Sequence, residues 1–421
     1  MADAQPVGMA FFPLDEELGL LPGIYTPQLQ ESMTRLGAKM AYKQAQEELQ
    51  QFCHTLVSEA TVRRHTMHNG QASEDLEKEE AERIEKEAPG VTANPDKVVL
   101  SADGAFVALT TGEWREVKTV TIGEFETVVG ADGNEKVQTH SLSYFSRSYP
   151  AHDFEYYALS EIHRRGLANA NVIVSPNDGA VWIQGFVDYH CPEATRILDF
   201  SHAQGYIADA GKAAYGEGSE PFKAWYRQRS HELKHDPPQQ TLTQLSQLRQ
   251  ETDEQDALEV IDGSLAYLNK REAMLNYSHF VEQGYPIGSG SVESGHKVVM
   301  QSRMKQAGMR WAEGNVNPML SLRNLICNDR WQEGWQKIVT YQQRQRREQL
   351  QEKCRATLRS AIHTPTKTID SSNTSLQSTV SKLDKPAPKK PYKPAANHPW
   401  RQPFLQERRH RTILGQFNPK S

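Results

Sequence analysis

Lys97-Val98-Val99-Leu100-Ser101-Ala102-Asp103-Gly104 is the stretch that decides the reading of this chain. A short apolar run that stops at an Asp-Gly pair predicts a buried strand ending in a turn. Working outward, Trp114–Ile122 and Val137–Tyr149 read as two further strands, and Ala131-Asp132-Gly133-Asn134 between them carries a hairpin signal. Phe154–Arg165 then reads as a helix, with Tyr157, Leu159 and Ile162 among its apolar residues. Asn171-Val172-Ile173-Val174-Ser175 is another short strand, ending near Asp178-Gly179, and Ala180–Tyr189 is helical. Thr195-Arg196-Ile197-Leu198 is a third buried strand, ending in Asp199, and His202–Tyr215 is again helical.

The order is three strands, helix, strand, helix, strand, helix. It predicts an α/β fold with a mixed sheet of ribonuclease H type, and acidic residues stand where its strands end. Residues 216–282 are polar and helical in pattern, and read as an insertion before a final helix. The expected organisation is a helical module over 1–90, the sheet domain over 91–345, and a tail over 346–421.

The chain has 421 residues, with 37% hydrophobic and 24% charged, and a mean hydropathy of -0.69. That apolar share predicts polar, weakly structured segments beside a real core. No run approaches the roughly 20 apolar residues of a membrane span, and the acidic start lacks the pattern of a secretory signal. Cys53, Cys191, Cys327 and Cys354 are far apart, so neither a disulfide framework nor a clustered zinc site is expected. The reading is a soluble protein of a reducing compartment, the bacterial cytoplasm. The net charge of -5 hides an asymmetry: from Tyr341 to Ser421 there are 17 Lys and Arg against 5 Asp and Glu, a balance of +12 that leaves -17 on the rest. A basic tail on an acidic body fits a polyanionic partner, or a solvated tail that aids solubility. Past Ile362 the sequence turns rich in Ser, Thr, Pro and Lys, which predicts disorder.

In the N-terminal module Thr26-Pro27 reads as an N-cap with proline at the first helical position. Leu29, Met33, Leu36 and Met40 follow at helical spacing, and a second helix holds Ala45, Leu49 and Phe52 on one face. Ser58 caps a third, with Val62 inward and Arg63, Arg64 and His65 outward. This is the outline of a helix-turn-helix, whose second helix enters the major groove; an ordinary three-helix bundle has the same pattern. The acidic run Glu74–Glu87, ending before Pro89-Gly90, reads as a solvated helix or linker at the module's border.

The sharpest local signal is Gly284-Tyr285-Pro286-Ile287-Gly288-Ser289-Gly290-Ser291-Val292-Glu293-Ser294-Gly295-His296. Gly288 and Gly290 permit close backbone approach, Ser291 can cap a helix, and Glu293 falls in its first turn. Lys297, Arg303, Lys305, Arg310 and Trp311 follow; Arg303 and Arg310 share a face if the helix continues, and can hold a phosphate backbone. Phosphodiester cleavage needs an activated oxygen nucleophile and a stabilised leaving oxygen, which two Mg²⁺ ions about 3.5–4 Å apart provide. Such hard cations take carboxylate oxygens. Asp103, Asp178 and Glu293 meet that need if folding brings them together. By the residues alone each aspartate reads more readily as a turn residue, Glu293 as a helix N-terminal carboxylate, Asp199 as a cap and His202 as structural.

Taken together, these blocks resemble insertion-sequence transposases of the Kra type, within the Mutator-like group of DDE transposases. The resemblance is carried by Ser101-Ala102-Asp103-Gly104, by Asp178-Gly179-Ala180-Val181-Trp182-Ile183 with Ile197-Leu198-Asp199-Phe200-Ser201-His202, and by Gly288-Ser289-Gly290-Ser291-Val292-Glu293 with Arg303, Lys305, Gly308, Met309, Arg310 and Trp311. His398-Pro399-Trp400-Arg401 in the tail also looks familial. The resemblance spans roughly Leu21 to Arg401. It implies a ribonuclease H-like catalytic domain with a helical insertion, and a catalytic, metal-holding triad of Asp103, Asp178 and Glu293. It implies two Mg²⁺ ions, for which Mn²⁺ substitutes. Asp199 and His202 match the group's (Cys or Asp)-x-x-His signature and are assigned a supporting catalytic role, with Asp199 an alternative second metal ligand. The implied partners are double-stranded DNA, as transposon ends and target, and further copies of the chain as a homodimer or larger oligomer. Arg63, Arg64, Lys297, Arg303, Lys305, Arg310 and Trp311 are the implied DNA contacts. An N-terminal cysteine cluster seen in related transposases is missing here. Two rival functions are an idle, transposase-derived DNA-binding regulator and a host ribonuclease H-like nuclease.

Overall fold

A computed structural model describes residues 24–130, 133 and 135–362, with side chains through 356. The elements below lie within residues 24–362. Residues 363–421, including His398–Arg401, lie outside the described residues, as do Ala131, Asp132 and Asn134 of the expected hairpin turn.

Among the described residues three helices come first: α1 Pro27–Lys39, α2 Tyr42–Cys53 and α3 Glu59–Glu87. Thr26 and Ser58 cap as expected, their hydroxyl oxygens accepting from Leu29 N at 3.3 Å and Thr61 N at 3.2 Å. Met33, Ala45, Leu49 and Val62 form their shared core. Phe52 does not join it and is 75% exposed. The helix ends one residue later, where His54 turns left-handed at φ 51° and leads the chain away. Of the two readings of the acidic run, the helix holds: it is the second half of α3, ends at Glu87, buries Glu74, Ala81 and Ile84, and is exposed or half-buried elsewhere. Two of its acids have inward partners: Glu74 accepts from the Tyr149 hydroxyl and pairs with Lys78 at 2.7 Å, and Glu77 pairs with the buried Arg147.

The sheet has five strands, β1 Lys97–Ala108, β2 Trp114–Val129, β3 Glu135–Arg147, β4 Val172–Asn177 and β5 Thr195–Leu198. Their order is β3-β2-β1-β4-β5. β2 runs antiparallel to β1 and β3, and β1, β4 and β5 run parallel. The architecture is therefore α/β with a mixed sheet, as the strand and helix order predicts. One expectation fails within it. β1 does not stop at Asp103-Gly104 but continues to Ala108, because β2 still supplies partners there, Thr119 for Asp103 and Lys118 for Gly104. The chain reverses only beyond Ala108.

Alternation along β1 sends Val98, Leu100 and Ala102 to one face, packed with Phe154, Ile162, Ile183 and Phe186 of α4 Ala151–Arg164 and α5 Val181–His190. Val99 faces the other way, toward Ala203, Ile207 and Ala210 of α6 Phe200–Tyr215. The insertion is helical as predicted: α7 Glu220–His235, α8 Pro238–Glu251, α9 Gln255–Asn269 and α10 Tyr277–Glu282. After it come α11 Gly290–Gly295, a π-helical turn His296–Gln301 and a last turn Ser302–Met304. The helix does not continue to Arg310: Lys305 leaves it at φ -116° and Gly308 turns left-handed at φ 71°. Two helices, α12 Val316–Cys327 and α13 Trp331–Ile362, complete the described chain. No described helix is long and apolar enough to cross a membrane.

Candidate active site

The residue offset that pairs Lys97 with Val172, Val98 with Ile173 and Val99 with Val174 is the same offset that separates Asp103 from Asp178. The pairing itself covers Lys97–Val99 and Val172–Val174; Asp103 lies further along β1 and Asp178 just past β4. Asp178 is held by its own loop. Its Oδ1 accepts from Ala180 N at 2.9 Å, and Asn177 Oδ1 accepts from Gly179 N at 2.9 Å. Gly179 sits at φ 74°, and a Cβ there would lie 2.5 Å from Arg271 Nε, so glycine alone fits. The insertion reaches over to this loop: the Tyr267 hydroxyl donates to the Asp178 carbonyl, and Arg271 Nη2 donates to the Gly179 carbonyl at 2.9 Å.

Glu293 arrives on α11. This short helix lies hard on the sheet because Gly295 has no side chain; a Cβ there would meet Thr121 Oγ1 at 2.9 Å and the Tyr144 ring at 3.0 Å. Thr121 and Tyr144 are cross-strand partners on β2 and β3. Ser291 is not the cap. The helix starts at Gly290, and Ser289 before it gives its N–H and hydroxyl to Asp199 Oδ2 at 2.7 and 2.9 Å. Arg323 steadies the π turn that follows, donating from Nε to the Val299 carbonyl at 2.9 Å and from Nη2 to Ser302 Oγ at 3.0 Å. π turns often mark functional positions in helices.

The three carboxylates interact through space. Burial, the largest effect, pushes the Asp103 carboxyl up to about 6; the Gly104 N–H, donating to Oδ1 at 2.7 Å, opposes the rise, and the charges of Asp178, Glu293 and Glu116 add to it. His296 also stands here, its Nδ1 3.5 Å from Asp103 Oδ2. As the side chains stand, no three His, Cys, Asp or Glu among the described residues are arranged to hold a metal ion. The donor chemistry nonetheless fits a hard divalent cation: all three groups are carboxylates, and the repulsion raising Asp103 is what a cation would relieve.

Asp199 has a different task. Only 8% exposed, it accepts from His202 N at 2.8 Å through Oδ1, while Ser289 occupies Oδ2. The Asp-x-x-His spacing is that of an N-cap and the residue whose N–H it caps. Three donors engage its carboxylate, which ties the end of β5 to the loop that delivers Glu293. His202 is exposed, edge-on to Tyr206 at 5.3 Å. Two of the expected DNA contacts are also corrected. Arg303 is 1% exposed, donates from Nε to the Gly37 carbonyl at 2.9 Å, and lies between the Tyr42 and Trp311 rings. Trp311 is buried, bridged to Leu109 and donating from Nε1 to the Met304 carbonyl at 3.1 Å. Lys297, Lys305 and Arg310, and Arg63 and Arg64 at the start of α3, are exposed.

Sequence reasoning did not single out His296, Glu116, Tyr267 or Arg271 as site residues. His296 had a signal, three residues after Glu293 and so on the same side of a helix. Tyr267 and Arg271 had none, since they reach the Asp178 loop across 89 and 92 residues. No protein-family model and no curated protein matches this chain.

Proposed function

We propose that this chain is a DNA transposase of the DDE type, with a ribonuclease H-like catalytic domain, that cuts and joins DNA strands at the ends of an insertion sequence. What supports the reading is that Asp103, Asp178 and Glu293, from three separated elements, stand close enough for the charges of the other two to oppose ionisation of the buried Asp103 carboxyl. The strand order β3-β2-β1-β4-β5 with β2 antiparallel supports the fold assignment.

Asp103, Asp178 and Glu293 would hold Mg²⁺, or Mn²⁺ in its place, which when bound would supply the charge that activates water and stabilises the leaving oxygen. The chain's own contribution is position. Gly104 N–H fixes one oxygen of Asp103, Ala180 N–H one oxygen of Asp178, and the Asp199–Ser289 contact fixes the loop that delivers Glu293. Lys297, Lys305 and Arg310 are exposed cations for the phosphate backbone. Arg63 and Arg64 stand in the part of α3 that a helix-turn-helix would present to base edges, and two DNA ends call for a homodimer or larger assembly.

The test is strand cleavage of duplex DNA spanning the sequences that flank the coding region, with Mg²⁺, for the wild type, Asp103→Ala and Glu293→Gln. The expected result is cleavage by the wild type alone, with DNA binding kept in both variants. Binding without cleavage by the wild type would favour an idle regulator. Cleavage of RNA–DNA hybrids irrespective of flanking sequence would favour a host nuclease.

A further inference from the structure

We propose that the helical insertion clamps the second aspartate of the site: Tyr267 and Arg271 are positioning residues that hold the Asp178–Gly179 backbone in the pose from which the Asp178 carboxylate can share a divalent cation with Asp103 and Glu293. The inference rests on the function proposed above and gives the insertion a task in it.

The loop that carries Asp178 lies past the last ladder pair of β4, Asn177 with Leu198. Gly179 turns left-handed there, at φ 74°. The carbonyls of Asp178 and Gly179 are therefore outside the sheet and need donors from elsewhere. Both donors come from the C-terminal end of α9. The Tyr267 hydroxyl donates to the Asp178 carbonyl, and Arg271 Nη2 donates to the Gly179 carbonyl at 2.9 Å. Two successive carbonyls are thus held by the insertion. Within the loop, Ala180 N–H fixes Asp178 Oδ1 at 2.9 Å. The carboxylate is tied to the turn and the turn is tied to the insertion, so a shift of the clamp shifts the proposed ligand.

The clamp is itself fixed in place. Tyr267 and Arg271 are four apart and share one side of the helix end. The guanidinium lies over the Tyr267 ring, its Cζ 3.6 Å from the centroid, and Nη1 donates to the Tyr267 carbonyl at 3.2 Å. Tyr267 also stacks on Tyr206 of α6, with centroids 4.0 Å apart and the rings 18° from parallel. Ile261, Leu265 and Leu268 of α9 are buried in one core with Ile207 and Ala210 of α6 and Val174 of β4. The core that seats the strand before Asp178 thus also seats the clamp. Gly179 completes the fit, because a Cβ there would lie 2.5 Å from Arg271 Nε. Loss of a neighbour that orients a metal-binding group weakens metal binding or activity about 10–100-fold.

The experiment takes two readings on the full chain. Hydrogen exchange of the metal-free protein, followed by mass spectrometry over residues 177–183, reports the clamp alone. Mn²⁺ binding, followed by electron paramagnetic resonance of the free ion, reports its effect on the site. The variants are Tyr267→Phe, which loses one hydroxyl and keeps the ring stack, Arg271→Met, the two combined, and Asp178→Asn. Arg249→Met is the control, since it breaks an ion pair with Asp262 between α8 and α9 of the insertion. Thermal unfolding checks folding. The expected result is faster exchange of the Gly179 and Ala180 amides in both clamp variants, Mn²⁺ binding weakened about 10-fold or more in the double variant, and neither change in Arg249→Met. A role confined to stabilising the insertion would lower the melting temperature and leave the Mn²⁺ affinity of the folded chain unchanged. Wild-type affinity in the double variant, unchanged exchange at Gly179 and Ala180, or the same weakening in Arg249→Met overturns the proposal, and leaves the triad intact if Asp178→Asn still loses Mn²⁺. Equal Mn²⁺ binding by the wild type and Asp178→Asn overturns the triad itself. If Arg271→Met does not fold, Tyr267→Phe decides by the same two readings.

Discussion

Asp103 is a strand residue whose neighbours make its negative charge costly. Its carboxyl titrates near 6 in the folded chain, against about 3.9 when unfolded. Between those values the folded chain binds more protons, so this group's contribution to stability falls as pH rises from about 4 to about 6 and stays low above. Asp103→Asn removes the charge. Without divalent cations the variant should melt above the wild type at about pH 7.5, and the gap should close near pH 4; a pH-independent gap would contradict the arrangement. Mg²⁺ should raise the melting temperature of the wild type and not of the variant. The identity of this residue was legible in the sequence, but its setting was not. Asp-Gly is an ordinary turn pair, and only the partner strand, invisible in the local sequence, shows that no turn forms there. Arg303 and Trp311 misled for a related reason. A cation and an aromatic after a carboxylate motif suggest a phosphate site, yet the Gly37 carbonyl that engages Arg303 lies 266 residues away.

The elements that set the site are a strand, a turn and a short helix, and each has one glycine or cap that fixes its pose. Gly295 does this for α11. Gly295→Ala would place a Cβ 2.9 Å from Thr121 Oγ1 and 3.0 Å from the Tyr144 ring, so the helix must lift. The expected outcome is a fold that survives with a loss of about 1–3 kcal/mol in urea unfolding, and a cleavage rate lower by roughly 100-fold as Glu293 shifts. A variant that cleaves like the wild type would mean that the seat of α11 does not position Glu293. At this scale the sequence is most informative where periodicity is strong: the strand ends at Asn177 and Leu198, the helical insertion and the caps at Thr26 and Ser58 all follow from local pattern. The π turn and the early helix end at Met304 do not, because both depend on contacts from α12 and α1.

Across the whole molecule, two buried guanidiniums join the N-terminal helices to the site. Arg303 takes the Gly37 carbonyl and Arg323 the Ala38 carbonyl at 3.3 Å, both in the last turn of α1, where helix carbonyls lack partners of their own. Arg323 also holds the π turn beyond Glu293. The N-terminal helices and the sheet should therefore unfold together. Arg303→Met is expected to lower stability by about 2–4 kcal/mol through the orphaned carbonyl and lost packing, with circular dichroism and tryptophan fluorescence reporting one shared transition. Separate transitions in the wild type would show two independent modules instead. The most direct test of the central claim is anomalous diffraction from crystals of the chain soaked in Mn²⁺. The prediction is Mn²⁺ within about 2.0–2.3 Å of carboxylate oxygens from Asp103, Asp178 and Glu293. Anomalous density elsewhere, or a Glu293 side chain directed away from both aspartates with the ion present, would contradict it.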